Sequence, residues 1–498
     1  MNNVKSIIAS TIGNKEHGDF WEVHLLPKGL PWLLILGLGP LLAALIVNEA
    51  WLFALLIVSL VPMAVLIVRY PFAAIMIWVV VMPWFPFRGM YKYVYFAFHR
   101  LLIPLALGVV LLSRMLRLKK RSPVQLGPAE LAMVAFGAMG FISIFVTGND
   151  WKLIFALEDR FLVPFMAYWL IQFSNSQEQD LRRLIPLMSL LTLAECVVAL
   201  VSWFAPQALP SIWRSGLIGE RVMGTFGQPI AYGCVLLSCL VFIYHDAMNR
   251  GKGSTRRLHM LTFGLGMVCI FFTFTRGVWL GGILVLLALL YLYPKPTTLL
   301  LAVLVPVMVI LLSGVLTHEF AHAYERLNET EEGANARAVL ANAGKNMFYA
   351  RPVFGWGFGN YDRYDWKFME RVRDTNPTEW QIRKGTSHST FLTVLAEMGV
   401  VGFFLLYFPV IWWLLFTIKA LPRLPKEGFW SRRLLIAMWV PIGVQLVLWQ
   451  DIDLRFFYYS VTLFWINLGF IANAVRTCLQ PSGFRSVGQV MPSQTANL

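Results

Sequence analysis

Apolar runs of about 17 to 22 residues, the length an α-helix needs to cross a bilayer core, recur along this chain from Pro31 to Val475. In 498 residues with 58% hydrophobic and only 14% charged content, they are too many for the buried helices of soluble domains. A secreted, cytosolic or disordered chain is excluded. The fold class expected is all-α, a polytopic membrane protein. Fourteen spans are read, beginning near Pro31, Trp51, Pro71, Arg100, Pro128, Leu153, Leu184, Pro229, Leu258, Gly277, Thr297, Phe391, Arg433 and Phe456.

An even number of spans puts both termini on one side. The net charge of +15 would suggest nucleic acid in a soluble protein, but here topology absorbs it. With a cytoplasmic N-terminus, more than half of the 42 Lys and Arg fall in cytoplasmic segments, the densest being Arg114 to Arg121, Arg250 to Arg257 and Lys419 to Arg433. No nucleic-acid partner is implied. The expected organisation is a cytoplasmic segment 1–29, a transmembrane domain 30–475 with an external loop 317–387 inserted in it, and a flexible cytoplasmic tail 476–498. The first 29 residues mix acidic and basic side chains without a short apolar leader, so no cleavable signal peptide is expected. The five Cys have no paired spacing, and neither a disulfide framework nor a thiolate zinc site is indicated.

Two expected external segments, Ala205 to Gln228 and Thr317 to Ser387, are too long for connectors. The second carries equal numbers of acidic and basic residues. Within it Ala336, Val339, Leu340, Ala343 and Met347 recur at helical spacing until Arg351-Pro352 ends the run. This predicts an amphipathic helix lying across the outer face of the membrane.

Ionisable residues at the external helix ends are the candidates for chemistry, because charge near the bilayer is costly and kept for function or pairing. Arg221 lies in Gly219-Glu220-Arg221-Val222-Met223-Gly224-Thr225-Phe226-Gly227, Arg276 in the short turn Phe274-Thr275-Arg276-Gly277, and His388 where the long loop re-enters the membrane. Guanidinium forks grip phosphate oxygens, and a neutral imidazole can take a proton from a hydroxyl near pH 7. Together they suit transfer from a diphosphate-linked donor to an alcohol. Taken singly, Arg221 reads better as a snorkelling lipid anchor; Gly277 and Gly281 allow close helix approach around Arg276; His388 reads equally as a helix-entry residue.

In this order and spacing the residues resemble the O-antigen ligase and O-antigen polymerase superfamily of bacterial envelope glycan assembly. The resemblance runs from Arg221 to Phe403, through the Arg-x-x-Gly-Thr-Phe segment, the Thr-Arg-Gly-x-Trp-Leu-Gly turn, Asn335-Ala336-Arg337, Pro352-Val-Phe-Gly355-Trp-Gly357-Phe-Gly359, His388, Leu392, Glu397, Gly399 and Gly402. It implies a metal-independent, inverting glycosyltransferase of the bacterial inner membrane that works on the periplasmic face without a cofactor. The implied partners are a polyprenyl (undecaprenyl) diphosphate-linked glycan donor, a glycan or lipid-linked acceptor, and membrane lipids. By the same resemblance Arg221 and Arg276 hold the diphosphate, Arg337 assists or organises the loop helix, and His388 is the general base. Many members have His-Asn where this chain has His388-Ser389, which leaves open the side chain that orients the imidazole.

Other readings compete. His318-Glu319-Phe320-Ala321-His322 matches the zincin pattern, but it lacks an acidic ligand about twenty residues downstream and the extended metzincin spacing, and is read as coincidence. A solute transporter would place charges near the midplane, where Glu195 is the clearest isolated acid. The Gly355, Gly357, Gly359 series is read as a tight backbone turn. Local ion pairing is expected for Glu158, Asp159 and Arg160, and for Asp451, Asp453 and Arg455. The product is read as a polymer of repeat units, with ligation of the glycan to a lipid A-core type acceptor as the alternative.

Overall fold

The computed structural model describes residues 66–85, 91–115, 126–148, 150–174, 176, 178–210, 213, 221–310, 331–369, 387–450, 453 and 457–479. The spans expected near Pro31 and Trp51, segment 1–29 and the zincin-like stretch lie outside them. The chain divides into a unit ending at Arg69, described only as helix at 66–69, and a second unit from Tyr70 onward that holds every candidate site residue.

Among the described residues of the second unit the fold is helical, without strands. We label the principal helices α1 (Ala73–Val81), α2 (Leu102–Met115), α3 (Pro128–Val146), α4 (Lys152–Leu157), α5 (Val163–Ser174), α6 (Glu178–Phe204), α7 (Pro229–Asn249), α8 (Ser254–Phe272), α9 (Arg276–Leu292), α10 (Pro294–Ile310), α11 (Glu331–Ala350), α12 (Thr390–Ala420), α13 (Arg432–Leu448) and α14 (Tyr458–Leu479). Six helical runs among the described residues are long and apolar enough to cross a membrane: Tyr93–Met115, Pro128–Val146, Glu178–Phe204, Pro229–Asn249, Thr390–Arg423 and Tyr458–Leu479. Two shorter apolar runs, Ala73–Trp84 and Arg276–Leu292, accompany them. The architecture is that of an all-α, multi-pass membrane protein. α14 continues to Leu479, past the boundary expected at 475.

The core is built around α7. It is apolar over most of its length, and nearly all its residues from Pro229 to Ala247 are buried against α6, α8, α9, α13 and α14. All-round burial is what a helix without a polar stripe requires. Glycines set the closest approaches: Gly233 faces Val278, Gly266 faces Leu240, and Gly281 sits between Leu237 and Val444, as close helix packing in membranes prefers. At one end of the bundle buried polar ties close the structure. Glu130 accepts from the Gly127 amide at the start of α3, from Tyr168 at 2.5 Å and from Arg476 at 2.7 Å. Asp246 pairs with Arg250 and accepts from His259, which is bonded in turn to Ser189.

Two helical runs carry π-turns, Phe96–Leu101 before α2 and Glu158–Leu162 between α4 and α5. They pack together and place Arg100 against Asp159 in a bidentate pair, both bonds 2.7 Å. The local pairing expected within Glu158, Asp159 and Arg160 is therefore not what forms. Asp159 is taken by a neighbouring helix, because the extra residue of the π-turn re-aims consecutive side chains.

α12 is interrupted at Gly399, whose φ of 64° and ψ of −168° break the hydrogen-bond ladder. The segment after α11 repairs the break. Trp356 and Gly357 amides donate to the Ala396 and Glu397 carbonyls, while Val400 and Val401 donate back to Pro352 and Val353. Gly355, Gly357 and Gly359 all have positive φ; a Cβ on Gly355 would meet the Glu397 backbone, and one on Gly399 the Val353 backbone. The glycine series is thus a tight turn, fitted to a gap in a helix. The Glu397 carboxylate accepts from the Gly359 and Tyr361 amides at 2.9 and 3.1 Å and fastens the turn. Upstream, Val339, Leu340, Ala343 and Met347 bury one face of α11 toward α12 and Tyr361, as their spacing predicts.

Candidate active site

The three candidate segments lie at one end of the bundle and are linked through its backbone. The Val222 amide donates to the Phe272 carbonyl at 3.1 Å, which sets the Arg221 segment beside the last turn of α8. Four residues beyond Phe272, Arg276 opens α9 with its side chain exposed. Gly277 packs on Leu448, the last residue of α13. The next residue, Trp449, accepts from the Thr390 amide at 2.9 Å, two positions after His388. Arg221, Arg276 and His388 therefore border a single rim formed by the ends of α8, α9, α12 and α13.

Each segment has an unusual backbone. Among the described residues the only non-glycine positions with positive φ are Phe274 at 42° and His388 at 50°. Such conformations cost an L-residue about 1–2 kcal/mol and persist only where surroundings hold them. Phe274 is held by burial among Trp203, Phe271, Phe272 and Trp279. The imidazole of His388 is exposed, and its backbone is fixed by a polar network. Ser387 Oγ lies 2.6 Å from both the Ser389 carbonyl and Thr393 Oγ1 and accepts from the Ser389 amide at 3.0 Å. Thr393 in turn donates to the buried Asp453 carboxylate at 3.1 Å. Ser389 caps α12, its hydroxyl accepting from the Leu392 amide.

The Arg221 segment has its own buried anchor. Glu195, 1% exposed in α6, accepts from the Thr225 amide at 2.9 Å and the Thr225 hydroxyl at 2.7 Å. Gly224, with φ of 53°, leaves no room for a Cβ against that carboxylate. The acid isolated in the sequence thus folds the Arg221 loop back onto α6. Arg337 lies on α11, and that helix packs on α12 at Gly344 and Leu392.

Two groups that sequence reading set aside also reach this rim. Arg160 and Asp453 line one cleft with Phe136, Phe161, Phe358, Thr390 and Thr393. Arg160 Nε is buried with no hydrogen-bond partner among the described residues, while the guanidinium lies within hydrogen-bonding reach of the Tyr458 phenol and 5.8 Å from the Phe358 ring centre. The available sequence signal was an acid and a base near helix ends in otherwise apolar surroundings. It did not distinguish a cleft-lining group from a local pair.

Fold and rim together define a multi-pass membrane protein with cationic and imidazole side chains gathered at one end of a helical bundle. Residues 261–407 match the O-antigen ligase family. The matched stretch contains Arg276, α11, the glycine turn, His388 and the break in α12, and begins after Arg221. No curated protein matches the chain.

Proposed function

We propose that the protein is a metal-independent, inverting glycosyltransferase of the bacterial inner membrane, with fourteen spans and its active rim facing the periplasm. Its donor is a glycan on polyprenyl (undecaprenyl) diphosphate, and its acceptor is a hydroxyl of a second glycan. The observation that supports this reading is the linked placement of the Arg221 segment with those of Arg276 and His388, the latter two inside the stretch that matches the O-antigen ligase family.

In this mechanism His388 takes the proton of the acceptor hydroxyl as its oxygen attacks the anomeric carbon. The bond from that carbon to the diphosphate oxygen breaks, and the lipid diphosphate leaves with the electron pair. Arg221 and Arg276 bind the diphosphate and stabilise the growing charge, with Arg337 contributing from α11. The left-handed backbone at His388 presents the imidazole outward while Ser387, Thr393 and Asp453 hold the turn.

The product is read as a polymer of O-antigen or exopolysaccharide repeats. Ligation to a lipid A-core type acceptor is the second reading, favoured by the description of the matched family. Purified protein given a defined lipid-linked repeat, with and without a second acceptor, separates them. A product ladder means polymerase and a single transfer onto the added acceptor means ligase. Absence of glycosyl transfer with either, beside solute flux into proteoliposomes lacking donor, would replace both with transport. Turnover should persist in EDTA; complete loss restored by zinc would overturn the metal-independent mechanism.

A further inference from the structure

The glycine turn that closes the break in α12 has an apolar tip. Turn residues that face water are ordinarily small or polar, yet here Pro352, Val353 and Phe354 precede Gly355. Val353 is 49% and Phe354 65% exposed, so neither side chain is used up by the helices that hold the turn's backbone. Clustered exposed apolar groups mark a surface that another body covers.

Two helices fix the level at which the tip stands. On α12 the exposed side chains Val400, Phe404, Ile411, Leu415 and Ile418 recur at helical spacing on one face. No charged residue lies between Val400 and Ile418, and the exposed Lys419 follows. The steps from Val400 to Ile418, at about 1.5 Å each, span roughly 27 Å, close to the hydrocarbon thickness of a bilayer. Val400 therefore stands at the hydrocarbon edge on the rim's side, and its amide donates to the Pro352 carbonyl at 2.8 Å. α3 gives the same level independently. Its exposed apolar run ends at Phe145 and Val146, and the solvent-facing pair of Asp150 and Lys152 follows. The turn meets α3 there, with the Phe358 amide donating to Ser143 Oγ at 3.1 Å and Gly357 packed on Thr147.

The tip is thus continuous with the lipid-facing stripe of α12. A partner arriving from water could not cover Val400 and Phe404 at membrane depth, whereas lipid covers stripe and tip without interruption. Arg351 is exposed three residues before Phe354, its guanidinium 4.0 Å from the Trp356 ring centre. An aromatic and a long cationic side chain together suit the boundary between acyl chains and headgroups.

We infer that the Val353–Phe354 tip is a lipid-binding surface, seated in the leaflet on the rim's side with Phe354 among the upper acyl carbons and Arg351 toward lipid phosphate. Lipid contact thereby helps to hold the turn in the break of α12. The inference goes beyond the glycosyltransferase reading and stands whichever reaction the rim performs.

The test uses the full-length protein with Cys478→Ser, since the four other cysteines are buried, in vesicles of phosphatidylethanolamine and phosphatidylglycerol. A nitroxide is attached to Phe354→Cys, with Phe404→Cys as the lipid reference and Lys252→Cys as the water reference. Its collisions with oxygen and with a water-soluble nickel chelate, present on both sides, report depth. The oxygen-to-nickel ratio at 354 should exceed that at 252 roughly fivefold or more and lie within about twofold of that at 404, as for an apolar group seated in the acyl boundary. A ratio like that at 252 would overturn the inference by placing the tip in water. Protection from both reagents would overturn it too, since protein would then cover the tip. In the same vesicles, unlabelled Phe354→Asp should speed proteolysis within 351–369 severalfold while Phe354→Leu matches wild type. Equal protection of the two variants would mean that lipid contact does not hold the turn.

Discussion

His388 concentrates the conflict between stability and use in one residue. Its φ of 50° is a glycine conformation occupied by an imidazole, and Ser387, Thr393 and Asp453 hold it there. His388→Gly should therefore leave the fold intact and stabilise it by up to about 1 kcal/mol, while removing the proposed base. Thermal unfolding beside turnover measures this. Normal turnover in His388→Gly or His388→Ala would dismiss the imidazole from the chemistry, and a large loss of stability would mean that its side chain is itself structural. Glu195 presents the converse case. Thr225→Val strips one donor from a buried carboxylate and should cost about 1–3 kcal/mol. Because that bond also sets the Arg221 loop, donor KM should rise with it; unchanged donor KM in a folded variant would detach Arg221 from the donor. Neither residue's role could be read from spacing. His388 was visible as a candidate, but its backbone depends on Asp453, sixty-five positions away, and Glu195 appeared as an isolated acid because its partner lies across a loop.

At the level of elements, apolar length and period carried most of what was legible. The buried face of α11 and the end of its run follow from Val339, Leu340, Ala343, Met347 and Pro352. What periodicity does not encode is interruption. The π-turn at Glu158–Leu162 sends Asp159 to Arg100 and Arg160 to the cleft, although the apolar pattern around it reads as one continuous span. The break at Gly399 is similarly hidden within a 31-residue helix. It is stable because the glycine turn supplies the missing hydrogen bonds, so the break and the turn should fail together. Gly399→Ala forces a side chain into a positive-φ position against the Val353 backbone. The turn should then release at a cost of about 1–3 kcal/mol. Limited proteolysis within 351–369 should accelerate, and turnover should fall without a change at His388 itself. Unchanged proteolysis and turnover would show that the turn does not depend on the break.

For the whole molecule, the proposed chemistry requires a sidedness that charge distribution alone argues for. The loop from α7 to α8 and the first turn of α8 carry Arg250, Lys252, Arg256 and Arg257, whereas segment 317–387 carries ten acidic and ten basic residues. Under the positive-inside rule these belong on opposite faces, with the rim on the face of the balanced segment. Cysteine labelling can test this with little disturbance, because Cys196, Cys234, Cys239 and Cys269 are buried and only the half-buried Cys478 needs replacing. In that background Trp366→Cys, at an exposed position after the glycine turn, should react with a membrane-impermeant maleimide in spheroplasts. Lys252→Cys, exposed at the opposite end of α7, should react only after the membrane is opened. Reporters fused to the two termini should both read cytoplasmic if the spans number fourteen, whereas an odd number would separate them. The reversed labelling pattern would put the rim on the cytoplasmic side. A donor glycan displayed outside the cell could not then reach His388, so the orientation and the extracytoplasmic transfer reaction would fall together even with every contact at the rim intact.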